Sequence, residues 1–306
     1  MQSHLIKDKT SSGRLKLLQD EVRSMIYSVG LLVKVPSSLQ RFSDNVDTFR
    51  QYSDLKAEAP YIAEDCHVPK EWPHSGNVEF KDLSVKYGAK LDYALKNLNF
   101  SIRPRENIGI VRHTGAGKST LAKVIFRLLN ENVEGSTEID GHDTAKFGVG
   151  DFRPKLGIIP QESTMFTGTV GRNLDPLQEF TIEDMWAAML KSIGINKFLI
   201  RDNDAFSSGQ QQLFSLCRLL MRKRKVLVLD EATADVDLET DRKMQELIRT
   251  EFSDCTVLII AHRLDTIMNS NIIIVMEKGE IAEIGPPQEL IAKGGKFSEL
   301  VQANAF

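Results

Sequence analysis

The ten residues from Val111 to Thr120, Val-Arg-His-Thr-Gly-Ala-Gly-Lys-Ser-Thr, constrain this chain more than any other stretch. An apolar run, Asn107 to Val111, leads into them, and a helical pattern, Leu121 to Phe126, follows. Strand, glycine-rich turn and helix form the context that a phosphate-binding loop requires. Glycines let backbone N–H groups close around phosphate oxygens, and the helix N-terminus adds the positive end of its dipole. Lys118 would reach the β- and γ-phosphates, and the Ser119 hydroxyl would ligate Mg²⁺. One position departs from the pattern G-x-x-x-x-G-K-[ST]: Arg112 stands where the first glycine is expected. The plainer reading of the loop alone is a Gly/Ser turn before a helix, and the rest of the chain decides between the two.

Composition excludes several function classes. With 42% hydrophobic and 26% charged residues over 306 positions, the chain has an ordinary globular make-up, long enough for one large domain or two modest ones. A net charge of −3 provides no global basic field, which argues against nucleic acid as the main partner. The basic run Arg222 to Lys225 falls at an expected helix end, where cations suit the dipole, and reads as a solvated cap. Cys66, Cys217 and Cys255 match no metal or disulfide spacing and fit a reducing compartment. Met1 to Lys16 is polar and carries no signal pattern, while the apolar stretch Met25 to Val35 falls short of the ~20 residues a bilayer span needs.

Along the chain, two amphipathic helices are expected before residue 53. Leu15, Leu18, Val22, Met25, Ile26 and Val29 carry the first, and Phe42, Val46, Phe49 and Tyr52, after Pro36, the second. Such faces normally pack on a core; the alternative places them beside a membrane domain supplied elsewhere. Pro60, Pro69 and Trp72-Pro73 mark a linker through about Gly76. Short strands at 78–80, 83–87 and 98–102 then read as an antiparallel β-layer. Tyr87, shortly ahead of the loop, is either strand packing or a platform for a purine ring. Strands follow at 136–141 and 156–161, a helix over 181–200, and another opening at Ser207, where serine suits an N-cap.

The second strong signal is Val226 to Glu231. A continuous apolar run suits a parallel strand buried on both faces, and two carboxylates at its end lie where ligands bind in open α/β sheets. Asp230 can enter a Mg²⁺ shell, and Glu231, one residue on, can polarise water. A further buried strand, Thr256 to Ala261, ends at His262. A hairpin turning at Gly279 and a C-terminal helix over 287–301 complete the pattern.

Taken together, the segment from about Val78 to Phe306 resembles the nucleotide-binding domain of an ATP-binding-cassette transporter. Tyr87 matches its adenine-stacking aromatic. Positions 112–119 match its Walker A loop, and with Thr120 the resemblance puts Thr114, Gly115, Ala116, Gly117, Lys118 and Ser119 around ATP. Gln161 matches the Q-loop glutamine, and Phe206-Ser207-Ser208-Gly209-Gln210 the Leu-Ser-Gly-Gly-Gln signature. Asp230 and Glu231 match Walker B with its catalytic glutamate, Asp237 the D-loop, and His262 the switch histidine. Asn173 to Pro176, Asp230 to Ala234, Asp254 to Val257 and Ala261 to Leu264 are similar to the second such domain of the C subfamily, the multidrug-resistance-associated proteins.

The resemblance implies an α/β P-loop core with an antiparallel β subdomain and a small α-helical subdomain, preceded by a helical extension (1–52) and a linker (53–76), with the ATP-binding domain over 77–306. It implies ATP hydrolysis coupled to export of a small solute, anionic or conjugated compounds included. Glu231, His262 and Gln161 would serve catalysis, and Ser119, Gln161 and Asp230 would hold Mg²⁺. Ser207, Ser208, Gly209 and Gln210 would face the ATP of a second nucleotide-binding domain in a head-to-tail dimer. A transmembrane domain on another chain or a longer product is the remaining partner, with no nucleic acid, and the location is the cytoplasmic side of a membrane.

Three departures bear on activity. Arg112 adds a Cβ and a long side chain at a turn shaped for glycine, which predicts weakened ATP binding. Phe206 and Ser208 replace the usual Leu and Gly, and Phe198 to Ala205 is several residues shorter than its counterparts. With no membrane domain in the chain, these suggest a truncated, divergent or partial product. The alternatives are a regulator that binds nucleotide without hydrolysing it, and a soluble cassette protein outside transport.

Overall fold

The computed structural model describes residues 2–303 apart from 56–57, 65, 89, 113–117, 130, 193–205, 233–235 and 262. Two bodies separate by contact: Met1–Glu58 and Ala59–Phe306.

The first body is one helix, α1 (Gln2–Ser53), in place of the two expected. Pro36 lies inside it. Proline removes one N–H and crowds the preceding turn, yet the helical pattern resumes on its far side and carries the helix on. Of the positions expected to pack, Leu18, Val22, Met25, Ile26, Val29, Phe42, Phe49 and Tyr52 are exposed.

The second body begins with β1 (Val78–Lys86), β2 (Tyr93–Ile102) and β3 (Asn107–Arg112), followed by α2 (Lys118–Ile125), β4 (Val133–Ile139), β5 (His142–Asp143) and α3 (Val149–Phe152). β6 (Gly157–Ile159), α4 (Val170–Leu174), α5 (Ile182–Ser192) and α6 (Ser208–Arg222) come next. Then follow β7 (Val226–Asp230), α7 (Leu238–Glu251), β8 (Thr256–Ile260), α8 (Leu264–Ile267), β9 (Ile272–Glu277), β10 (Glu280–Gly285), α9 (Pro287–Ala292) and α10 (Lys296–Ala303).

Two expected strands merge into β1. A register shift interrupts its pairing with β2, where Asp82 takes a φ of 50° and exchanges hydrogen bonds with the Asn99 side chain. The expected C-terminal helix is instead two, separated at Gly294, whose φ of 65° no helix continues through.

A four-stranded antiparallel sheet, β2-β1-β4-β5, covers a six-stranded sheet of order β10-β9-β3-β8-β7-β6. The six-stranded sheet is parallel from β9 through β6, with β10 antiparallel at its edge. Period-two alternation divides its side chains between two cores. Ile108, Ile110, Val226, Val228, Leu258 and Ile260 meet Val78, Phe80, Val85 and Leu95 of the antiparallel sheet and Leu121 and Ile125 of α2. Leu227, Leu229, Val257, Ile259 and Val275 face the other way, onto Phe214 and Leu216 of α6 and Met244 and Ile248 of α7. Each fully buried side chain of this kind contributes about 1.5–3 kcal/mol of transfer free energy. A sheet wrapped on both faces has only its strand ends free for chemistry.

The segment expected as linker packs on this second body from Ala59 onward. Val149 N donates to the Pro60 carbonyl at 3.0 Å and Gly150 N to that of Tyr61 at 2.8 Å. Trp72 is buried, with Nε1 on the Ile139 carbonyl at 3.0 Å and its ring 5.1 Å from that of Phe147. Asp140 accepts from the backbone N–H groups of His74, Ser75, Gly76 and Asn77 and from the Ser75 hydroxyl at 2.5 Å. These bonds strap residues 60–61 to α3, and residues 72–77 to the end of β4 and the β4–β5 turn.

Candidate functional site

Strand register brings the sequence signals to one edge. β8 lies between β3 and β7, and Ile260 pairs with Ile110 on one side and with Asp230 on the other. Neighbouring strands are about 4.8 Å apart, so β3 and β7 end about 10 Å from each other. Arg112 closes β3 at this edge, Asp230 and Glu231 stand at the end of β7, and Ala261 follows β8. On the far side of β7, Ile159 pairs with Leu229, so Pro160 and Gln161 leave the same edge one strand further on.

Glu231 is buried, has a φ of 52°, and donates its N–H to the Ile260 carbonyl at 2.8 Å. A left-handed glutamate turns the chain sharply at the strand end, so the carboxylates of Asp230 and Glu231 do not simply alternate across the sheet. The bond to Ile260 fixes that turn to β8. Arg112 is the last residue of β3, paired with Met276, and is not among the left-handed residues. The backbone at this position pairs as strand, a conformation open to any residue. Ser119 is half-buried and Thr120 buried on the first turn of α2.

Tyr87 follows the end of β1 and is 50% exposed, so it does not pack in the core. Its hydroxyl lies 2.9 Å from Thr120 Oγ1, and the Lys123 ammonium stands 5.4 Å from its ring centroid.

The signature residues open α6. Ser207 is the N-cap, its Oγ accepting from Gln210 N at 3.3 Å while Gln210 Oε1 accepts from Ser207 N at 3.1 Å. The capping reading of Ser207 is therefore realised. Gly209 is buried, and a Cβ there would lie 3.5–3.7 Å from Val236, Thr240 and Asp237. The signature helix thus begins against the D-loop segment. Asp237 caps α7, accepting from Glu239 N, Thr240 N and the Thr240 hydroxyl; the Thr240 bonds hold its pKa below the ordinary value of 3.8.

Thr114, Gly115, Ala116, Gly117 and His262 lie outside the described residues, as do the side chains of Lys118 and Ser208 and the shortened stretch 198–205. The structure therefore brings together the strand ends that carry Arg112, Gln161, Asp230 and Glu231, and separately joins Gly209 to Asp237.

Sequence reasoning missed Gln212. It lies one turn into α6, 94% buried, with Nε2 donating to the Gln161 carbonyl at 2.8 Å and Oε1 accepting from Ser163 Oγ at 2.9 Å. A glutamine among the apolar positions of that helix was the available signal. The half-buried Arg218 was missed too; it donates to the carbonyls of Asn173 and Thr164, fixing the segment between β6 and α4, and partial burial lowers its pKa.

Comparison with known proteins gives concordant results. Residues 95–234 match the ABC transporter family model. The chain is 44% identical over 301 residues to ATP-binding cassette sub-family C member 3 of Rattus norvegicus, covering 95% of this chain and 20% of that protein. It is 40% identical over 293 residues to Metal resistance protein YCF1 of Saccharomyces cerevisiae, covering 92% of this chain and 19% of that one. Among solved structures, a bacterial Atm1-family ABC exporter with ATP bound superposes with a TM-score of 0.77 at 27% identity, over 87% of this chain and 48% of that chain. The chain spans about a fifth of the length of these curated relatives. Among the described residues, no helix is long and apolar enough to cross a membrane.

Proposed function

The chain belongs to the ABC transporter family, with its relatives in sub-family C, and on that premise we propose that it binds and hydrolyses ATP as the nucleotide-binding part of an exporter of small solutes, anionic or conjugated compounds among them. The observation that carries this reading is the register of β3, β8 and β7, which brings the end of β3 and two carboxylates to one edge of the sheet.

Hydroxyl, carboxylate and amide oxygens are the hard donors Mg²⁺ prefers, and Ser119, Asp230 and Gln161 present that set on elements leaving the same edge. They would hold the ion, and a bound Mg²⁺ would neutralise charge on the phosphates. Lys118 would add its positive charge there, and Tyr87 would carry the base. Glu231, held at the edge by its bond to Ile260, would accept a proton from the attacking water. His262 would contact the γ-phosphate. Ser207, Ser208, Gly209 and Gln210 would serve the ATP of a second nucleotide-binding domain, with Asp237 between the two sites. A transmembrane domain would complete the exporter on the cytoplasmic side of a membrane, and residues 1–52 and 53–76 would lead from it into the cassette.

The experiment is Mg·ATP binding and turnover by the chain, beside a Glu231→Gln variant. Binding by both, with turnover falling about 10²–10⁴-fold in the variant, is the expected result. Equal turnover in the two would remove Glu231 from the mechanism. Binding without turnover in either would replace hydrolysis by a regulatory role.

A further inference from the structure

Tyr87 is held from its far end. The residue lies just past β1, beside a tight turn in which Leu91 N donates to the Gly88 carbonyl at 3.0 Å. Its ring stands half in solvent, so no core packing fixes it. What orients it is the hydroxyl, 2.9 Å from Thr120 Oγ1, together with the Lys123 ammonium over the ring at 5.4 Å. Both partners belong to α2, the helix that follows the phosphate-binding stretch. Thr120 is itself buried, so its hydroxyl is a fixed anchor. One hydrogen bond at the phenol end sets both side-chain torsions of a tyrosine, because the ring is rigid between Cβ and the oxygen.

We infer that the Thr120 hydroxyl is a positioning residue for base recognition: it holds the Tyr87 ring in place before nucleotide arrives and ties the base platform to the helix beside the phosphates. The inference rests on the ATP-site reading above and adds to it a source of base affinity outside the residues that touch the base. An exposed aromatic that must be ordered on binding loses rotamer freedom, and one already ordered does not. The hydroxyls of Tyr87 and Thr120 then act as one unit, and either loss has the same consequence. The triphosphate, which does not reach the ring, is indifferent to the Tyr87 hydroxyl.

The test is calorimetric titration of the whole chain with ATP and with inorganic tripolyphosphate, for wild type, Tyr87→Phe, Thr120→Val, the double variant and Thr120→Ser. Tyr87→Phe and Thr120→Val should each weaken ATP binding about three- to tenfold, the worth of one hydrogen bond. The double variant should be no weaker than either, Thr120→Ser should match wild type, and Tyr87→Phe should bind tripolyphosphate unchanged. A Tyr87→Phe variant that binds ATP like wild type overturns the inference. So do single effects that multiply in the double variant, or an equal loss of tripolyphosphate in Tyr87→Phe. Wild-type chain that binds tripolyphosphate but shows no preference for ATP removes the base platform while leaving the phosphate site standing. Wild-type chain that binds neither defeats the site reading and this inference together.

Discussion

Gln212 and Gln161 are joined by a hydrogen bond of 2.8 Å that runs from a side chain of the signature helix to a backbone carbonyl beyond β6. Ser163 closes the link from the other side, its hydroxyl within reach of both Gln212 Oε1 and the Ser215 hydroxyl. Residues 161–163 are therefore fastened to the helix whose first turn carries Ser207, Gly209 and Gln210.

Gln212→Leu keeps the volume and removes the link, leaving the Gln161 carbonyl without its Gln212 donor while Ser163 keeps Ser215. The cost should be about 1–3 kcal/mol of stability, or roughly 2–4 °C in Tm per kcal/mol for a domain of this size. Thermal melts of the two proteins check it, and equal melting temperatures would show that the bond contributes nothing net.

Asp140 gives a pH-dependent prediction. Burial alone would raise its pKa, but the Ser75 hydroxyl and the N–H groups of Ser75, Asn77 and Gly76 outweigh burial and hold it below 3.8. His74 Nδ1 also faces the carboxylate, at 3.2 Å. A carboxyl with a folded pKa below its unfolded value adds stability that is full above the unfolded value and is lost as pH falls through the folded one. Asp140→Asn should therefore cost about 2–4 kcal/mol near neutrality, and the difference from wild type should shrink below about pH 4. Denaturant titrations at pH 7, 5 and 3 measure it; a gap that widens on acidification would contradict the assignment.

At Gly148 the constraint is steric. A Cβ there would stand 2.6 Å from the Tyr61 carbonyl oxygen, 2.7 Å from Ala63 N and 2.7 Å from Ile62 Cα, all backbone. Gly148→Ala must push residues 61–63 away, at about 1–3 kcal/mol. Hydrogen exchange at Val149 and Gly150 should quicken as their bonds to Pro60 and Tyr61 open, with ATP affinity unchanged. Undiminished protection at both amides would mean that the strap adapts in place.

Arg112 supplies the fourth. The sequence alone predicts that this residue strains its loop, whereas the backbone closes β3 in an extended conformation. Arg112→Gly should give no gain in ATP affinity through relief of strain, and should lower stability by about 0.5–1 kcal/mol, the usual cost of glycine within a strand. Titration with ATP beside a thermal melt checks both halves, and a tenfold tighter complex would restore the strain argument.

The parallel strands were legible because β7 and β8 are apolar without a break, as strands covered on both faces must be. So were the two acids at the end of β7 and the capping serine, each a local pattern with a local physical cause. Long-range bonds were not. The Asp140 staple spans 63–66 positions, and Gln212 reaches back 51 residues to Gln161. No spacing encodes either bond, since each exists only once the sheets have stacked. Pro36 misled in the opposite direction: one unfavourable residue is a weak veto against two long helical patterns that agree.

The single helix of the first body leaves its large side chains in water, among them Met25, Tyr27, Leu32 and Phe49, each about 70% exposed or more. Apolar side chains exposed at this density favour association. In solution, residues 17–49 should drive self-association of the chain through these side chains. Removing residues 1–58 should then yield the less aggregating sample, with the fold of residues 59–306 unchanged.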